Sequence, residues 1–335
     1  MPKNPFFSII IPVYNAAEYL ADCLQCIISQ DFQDWEVILV DDGSKDNSVE
    51  IAEEFACNDS RIKIFTSTQN SGGAYTPRMR AANLASSDML VIIDADDRVS
   101  SDLLSKHYKI ITELSADLVI PEMWKLTTSD SYKILPHASI DISQLWIGKD
   151  LVYHTLCHWK IPMAGFAIRR NNYLKADTFL STEEKKSIFA DELLSRWILY
   201  LCQKVAFSNA HYYYRHNPAS VTHTNLPRFI DSKMTTCDNL IAMTTKVYGD
   251  YSSTHLHAVD NKFLSIVDSL RLINNSKILK SEKAVALNSL RAVMSNFDMS
   301  LLKGRISPRY LTLMSLPLPL ARHVLKILDY LLKIK

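Results

Sequence analysis

Glycine is scarce in this chain: seven residues among 335, and three of them, Gly43, Gly72 and Gly73, fall in two short turns. Backbone-permissive residues are therefore concentrated where a ligand can approach the main chain. Long apolar runs are missing too. No window approaches the ~20 uninterrupted apolar residues of a membrane-spanning helix, and the start, Met1-Pro2-Lys3-Asn4, lacks a secretory leader pattern, so a cytosolic location is expected. Six cysteines lie scattered, and the Cys-x-x-Cys pair Cys23 and Cys26 falls inside a helical pattern over 16–29. Reduced, structural cysteines are expected rather than a disulfide framework. The patch His154, Cys157, His158 and Trp159 lacks the paired spacing of a zinc site. Net charge is +1, which provides no general attraction for nucleic acid. No internal repeat or low-complexity tract is evident, and the length suits two units.

What the chain does have is acid at the ends of apolar runs. Met89 to Ile93 reads as a buried parallel strand, and directly behind it Asp94-Ala95-Asp96-Asp97 places three carboxylates in four residues. Such crowding is tolerated most readily where a divalent cation bound to phosphate oxygens neutralises it. A solvated acidic turn capping the next helix is the plainer alternative. Phe6 to Val13 is a second apolar run, ending in Pro12-Val13-Tyr14-Asn15, where proline stops the ladder and Asn begins a helix. A third, Trp35 to Val40, ends in Asp41-Asp42-Gly43-Ser44. Carboxyl ends of parallel strands are where open α/β sheets bind ligands. Between the acidic groups lies Gln69-Asn70-Ser71-Gly72-Gly73, then Arg78 and Arg80 on a helix starting near Thr76-Pro77. Arginines so placed can meet phosphate oxygens bidentately.

With these residues in view, 6–122 resembles the nucleotide-sugar-binding half of a family 2 glycosyltransferase of the GT-A fold. The resemblance rests on Ser8-Ile9-Ile10-Ile11-Pro12-Val13-Tyr14-Asn15, Val37-Ile38-Leu39-Val40-Asp41-Asp42-Gly43-Ser44, Asn70-Ser71-Gly72-Gly73 with Arg78, and Asp94-Ala95-Asp96-Asp97, in the family's order and spacing. It implies an α/β architecture, a Rossmann-like, mostly parallel sheet flanked by helices. It further implies that Pro12, Val13, Tyr14 and Asp42 flank the nucleotide base, with Gly72 and Gly73 alongside, and that Arg78 lies near base and diphosphate. Asp94 or Asp96, with Ala95 between them, meets the ribose and donor sugar, and Asp96 or Asp97 holds Mn²⁺ or Mg²⁺. Met79 stands where many relatives have Asn.

Ile188-Phe189-Ala190-Asp191-Glu192 resembles the stretch carrying the family's general base, although relatives commonly show Glu-Asp and here the pair is Ala190-Asp191. The base is Asp191 by that resemblance, with Glu192 as a fallback. The competing reading is an acidic start to a helix over 192–203. Lys204 to Phe207 and His211 to Arg215 read as two short β segments, followed by His216-Asn217-Pro218-Ala219-Ser220-Val221-Thr222-His223. By resemblance this closes the catalytic domain over the diphosphate, with Arg215, Ser220 and His223 near phosphate or metal. Trp159 is an acceptor-side candidate, since a flat aromatic face packs against a sugar ring.

The reading is an inverting, metal-dependent enzyme moving a sugar from a nucleotide-diphosphate sugar, UDP by resemblance, to a hydroxyl of a glycan, lipid-linked or glycoprotein acceptor in bacterial surface-glycan assembly. The Gln-x-x-Arg-Trp element of processive synthases is missing, although Ser195-Arg196-Trp197 superficially resembles it, so single-sugar addition is expected. A sugar nucleotidyltransferase would carry a glycine-rich phosphate loop after its first strand, and Pro12-Val13-Tyr14-Asn15-Ala16 is not one. A catalytically silent glycan-binding partner stays open, because Ala190 and Met79 replace polar residues. The catalytic part is expected over 1–225, with an acceptor-side half over 123–225. From 226 to 335, helical patterns over 228–248, 257–272, 278–297 and 320–335 form an appendage. The last is amphipathic and basic, suited to packing within the protein, to a homodimer or to an anionic membrane surface.

Overall fold

A computed structural model describes residues 4–126, 131–134, 140–156, 163–215, 226–276, 279–302 and 304–305. The chain divides into two compact units, Met1–Pro218 and Ala219–Lys335; the sequence pattern had suggested a break after residue 225.

The first unit is built on a nine-stranded sheet. Its strands are β1 (Phe7–Val13), β2 (Trp35–Asp41), β3 (Ile62–Thr66), β4 (Met89–Ile92), β5 (Arg98–Val99), β6 (Leu118–Leu126), β7 (Ser131–Ile134), β8 (Ala167–Arg169) and β9 (Val205–Arg215). They lie in the order β3-β2-β1-β4-β8-β6-β9-β5, with β7 beside β6. β1 to β4, β6 and β9 run one way, while β5, β7 and β8 oppose them. Every residue of β1 and β2 is buried, which explains why these runs are continuously apolar rather than alternating: helices cover both faces.

Those helices are α1 (Leu20–Ile28), α2 (Ser48–Asn58), α3 (Tyr75–Leu84), α4 (Leu103–Leu114), α5 (Gly148–His154), α6 (Arg170–Asp177), α7 (Thr182–Lys185) and α8 (Ala190–Leu201). α1 buries Leu20, Cys23, Leu24 and Ile27, a stripe at i, i+3, i+4 and i+7. Each fully buried aliphatic side chain contributes about 2 kcal/mol relative to exposure.

Two expectations change. α1 starts at Leu20, not at Asn15; Asn15 instead adopts a left-handed φ of 47° and accepts from the Lys45 N–H through Oδ1 at 2.7 Å. The two β segments after 203 are one strand, β9, whose pairing with β6 shifts register between Ile120 and Glu122. A strand expected from the sequence over 165–169 is present as the three-residue β8, inserted antiparallel between β4 and β6.

The second unit contains α9 (Leu226–Tyr248), α10 (Ser253–Asn275) and α11 (Lys280–Ser295), with a 3₁₀ turn over Met299–Leu302. Ile230, Met234, Phe263, Ile266, Leu270 and Leu290 share its core. The amphipathic segment 320–335 lies outside the described residues. Among those described, no helix is long and apolar enough to cross a membrane.

Candidate active site

Parallel pairing brings the ends of β1, β2 and β4 together: Val13 is in register with Asp41, and the Ile93 N–H donates to the Ile10 carbonyl at 3.2 Å. The turns after these strands therefore share one edge of the sheet. After β2, Asp41 accepts from the Gly43 N–H at 3.0 Å, which bends the chain at a glycine with φ 78°. Asp42 is buried and accepts from both the N–H and the hydroxyl of Ser71, each at 2.8 Å. The β2 turn thus holds the glycine-bearing loop at Gly72 and Gly73. Pro12 and Val13 are buried at the end of β1, and Tyr14 emerges beside them, 44 % exposed.

Arg78 projects from the third position after Tyr75 on α3 and is buried. Its Nη2 lies 2.5 Å from Asp94 Oδ1 and its Nη1 3.5 Å from Asp191 Oδ2. Burial works against its charge, but the two carboxylates more than offset this and raise its pKa. An open cleft lies here, with Ser71, Gly72, Gly73, Tyr75 and Arg78 on one side and Lys185, Ile188, Ala190 and Asp191 on the other.

Asp191 occupies the first turn of α8, as does Glu192. Both readings of that acid are thus present in one residue: it begins the helix and it faces the cleft. Loss of hydration raises its carboxyl above the ordinary value; Arg78 opposes this, and Glu192 and Asp94 add to the rise. The side chain keeps 41 % of its surface open, so a hydroxyl can reach it.

The acidic turn is organised by a tyrosine that the sequence reading did not single out. Tyr212, fully buried on β9, donates its hydroxyl proton to Asp97 Oδ2 at 2.6 Å and accepts from the Asp94 N–H at 3.1 Å. Asp97 Oδ1 accepts from the Arg215 N–H at 2.8 Å. Both Asp97 oxygens are engaged and the residue is wholly buried. Burial first, then Asp94 and Asp96, push its pKa well up, against the pull of its two hydrogen bonds. Asp94 and Asp96 remain partly exposed and Ala95 between them is buried. The Arg215 side chain lies on α1, 3.2 Å from Asp22 and over the Tyr19 ring. Tyr173 was also missed: it is fully buried, its hydroxyl has no hydrogen-bond partner among the described residues, and it sits in the field of Arg78 and Asp191. Ser220, His223 and Trp159 lie outside the described residues.

The edge thus combines carboxylates after adjacent strands, a buried arginine that joins Asp94 to the helix-borne Asp191, and a cleft that opens onto Asp191. The sequence pattern of Glycosyl transferase family 2 matches residues 8–175, half of the chain. This chain belongs to that family. It is a nucleotide-sugar glycosyltransferase with a GT-A-like sheet and C-terminal helices.

Among relatives, glycosyltransferase GlyG of Streptococcus pneumoniae serotype 4 is 29 % identical over 225 residues, 66 % of this chain and 74 % of GlyG. A poly(ribitol-phosphate) beta-glucosyltransferase of Bacillus spizizenii is 31 % identical over 118 residues, 35 % of this chain but only 19 % of that protein. The fold is shared with Staphylococcus aureus TarS 1–349 in complex with UDP-GlcNAc, at a TM-score of 0.63 and 18 % identity over 92 % of this transferase and 86 % of TarS 1–349. It is also shared with the mannosyltransferase PcManGT of Pyrobaculum calidifontis in complex with GDP-Man and Mn²⁺, at 0.51 and 15 % over 98 % and 88 %.

Proposed function

We propose that this transferase moves a single sugar from a UDP-sugar, with inversion, to a hydroxyl of a glycan, lipid-linked or glycoprotein acceptor of a bacterial surface polymer. The observation that carries this reading is Arg78 held between Asp94 and Asp191, which joins the donor-side acids to the cleft-facing acid through one guanidinium. Asp191 takes the proton of the acceptor hydroxyl; its raised pKa makes it a better proton acceptor than an ordinary aspartate. Pro12, Val13, Tyr14 and Asp42 bound the base site, Gly72 and Gly73 admit the diphosphate close to the main chain, and Arg78, Arg215 and Ser220 serve the donor. Glu192 and Trp159 belong to the acceptor side.

The acidic turn fits a hard divalent cation. Its donors are all oxygens, and the mutual repulsion expressed at Asp97 shows surplus negative charge there. Among the described residues no group of three or more acidic, His or Cys side chains is placed to hold a metal ion by itself, which suits an ion that shares its coordination with a substrate diphosphate. Asp96 is the proposed ligand, helped by Asp94. Asp97 carries the same expectation, and it also accepts from the Tyr212 hydroxyl and the Arg215 N–H, which ties the turn to β9. Bound there, Mn²⁺ or Mg²⁺ supplies positive charge against the departing diphosphate.

TarS binding UDP-GlcNAc and the polyol-phosphate glycosyltransferases among the relatives support the UDP and surface-polymer parts of the reading. Nucleotide release by the purified protein, with Mn²⁺ and a panel of UDP-sugars and GDP-mannose, tests it. Release from a UDP-sugar, with an inverted anomeric proton coupling in the product, is expected. Release from GDP-mannose alone, or from no donor, refutes it.

A further inference from the structure

The two walls of the cleft, 71–78 and 185–191, are joined through one carboxylate that lies outside its lining. Asp177, in the last turn of α6, accepts from the Tyr75 hydroxyl through Oδ1 and from Lys185 Nζ at 3.0 Å through Oδ2. Tyr75 and Lys185 line the cleft from opposite walls. An acid in the last turn of a helix is disfavoured by the helix dipole, and these two partners offset that penalty. Burial, then the Asp177 carboxylate, raise the Tyr75 phenol, which keeps it a donor.

α6 is itself fixed along α3. Arg170, at its start, donates to the Ala82 carbonyl at 2.7 Å and to the Asn83 carbonyl at 3.0 Å, near the end of α3, whereas Asp177 meets Tyr75 at the start of α3. The two helices therefore run antiparallel. Tyr173 and Arg78, both buried and each about one turn from the Asp177–Tyr75 pair, fall at the same level. Just beyond α6, Phe179 stacks on Trp197 of α8 with ring centroids 4.4 Å apart. Asp177 thus stands on a scaffold anchored to both α3 and α8.

From Lys185 to Asp191 the chain is a succession of turns. The Lys186 N–H donates to the Glu183 carbonyl and the Ser187 N–H to the Glu184 carbonyl, each at 3.2 Å, and the Ala190 N–H donates to the Ser187 carbonyl at 3.1 Å. Reciprocal bonds between Ser181 and Glu184 close the start of α7. A segment so turned has little slack, so holding Lys185 holds Asp191.

We propose that Asp177 is a positioning residue of this transferase: by tying Tyr75 to Lys185 it sets the spacing between the wall that carries Arg78 and the wall that carries Asp191. The proposal rests on the reading above, in which Asp191 takes the acceptor proton. α3 packs on β1 and β2, so loss of the tie frees the 185–191 wall rather than the donor side. The effect falls on turnover, because a reacting group displaced by about 1 Å costs up to about a hundredfold in rate.

The test uses full-length protein: wild type, Asp177→Ala, Lys185→Met, Lys185→Arg and the double variant Asp177→Ala/Lys185→Met, with Mn²⁺ and the UDP-sugar that gives nucleotide release. The readouts are kcat and donor KM for that release, UDP affinity by calorimetry, and amide hydrogen exchange over 182–191. In Asp177→Ala, kcat should fall about tenfold while donor KM and UDP affinity hold, and exchange should quicken over 182–191 but not in β1 or β2. The double variant should lose little more than the larger single loss, since Lys185 acts through Asp177. An unchanged kcat, a matching loss of UDP affinity, single losses that multiply in the double variant, or unchanged exchange overturns the proposal. Should Asp177→Ala fail to fold, the Lys185 pair decides: release lost in Lys185→Met and kept in Lys185→Arg supports the tie, and any other pattern overturns it. A wild type that releases no nucleotide refutes the functional reading instead. Exchange then decides Asp177: quickening over 182–191 upholds the tie, and its absence overturns it.

Discussion

Arg78 stands 3.5 Å from Asp191 through Nη1 while its Nη2 holds Asp94 at 2.5 Å, so one buried cation neutralises two acids that come from β4 and α8. A lysine offers one point charge where the guanidinium offers a planar fork. Arg78→Lys is therefore expected to keep the fold but lose nucleotide release by about a hundredfold. Arg78→Met should also lower stability by about 2 kcal/mol, less than for a fully enclosed pair because Asp94 is 25 % exposed. Release rates and chemical denaturation measure the two effects separately. A Lys variant as active as wild type would contradict the bridging role.

Asp191 acts as a base only when ionised. Its pKa lies above the ordinary 3.8, so transfer should climb as pH rises through that raised value and level off above it. Asp191→Asn removes the acid limb together with the activity, a loss of about 10²–10⁴-fold. UDP binding in the presence of Mn²⁺ should survive, because the proposed task of Asp191 is to take a proton from the acceptor, not to hold the nucleotide. A pH–rate profile and calorimetry check both halves, and an Asn variant that still transfers moves the base to Glu192.

Asp96 and Asp97 are adjacent in sequence but differ in surroundings: Asp96 is partly exposed, and Asp97 is buried against Tyr212 and Arg215. Asp96→Asn should abolish the Mn²⁺ dependence of UDP binding. Asp97→Asn should weaken it less, since its oxygens face Tyr212 and Arg215. The folded state holds the Asp97 proton more tightly than the unfolded chain does, because its pKa is raised. Its contribution is therefore most favourable below pH 3.8 and declines as pH rises to the folded value. Asp97→Asn should consequently gain more melting temperature, relative to wild type, at pH 7 than at pH 4. Equal shifts at both values would show that Asp97 carries no such strain.

Much of the frame could be read from the chain because the relevant signals are local. β1, β2 and β4 are short apolar runs that end in proline or acid, and their burial on both faces makes the pattern continuous. The stripe on α1 is likewise local. Tyr212 was invisible for the opposite reason: its partners, Asp94 and Asp97, are more than a hundred residues away, and it sits among three tyrosines that differ only in which face of β9 they occupy. Arg78 was placed near phosphate by its motif, whereas its two carboxylate partners depend on how α3 and α8 approach. The strand over 165–169 was legible, whereas the antiparallel place of β8 between β4 and β6 depends on distant partners.

Gly165 shows how closely that long-range packing is set. Its φ is 78°, a conformation that L side chains rarely adopt, and an added Cβ would lie 2.6 Å from Pro121 Cγ and 2.7 Å from Tyr212 Cδ2. Its N–H donates to the Ile92 carbonyl, next to the acidic turn. Gly165→Ala should thus cost about 1–3 kcal/mol and, by displacing Tyr212, weaken Mn²⁺-dependent UDP binding without touching a ligand residue. A double-mutant cycle with Tyr212→Ala separates the causes: with the ring gone, part of the clash is gone, and the alanine at 165 should cost less than in wild type. Full additivity would assign the strain to Pro121 and the backbone alone, and would exclude a coupling of Gly165 to the acidic turn through Tyr212.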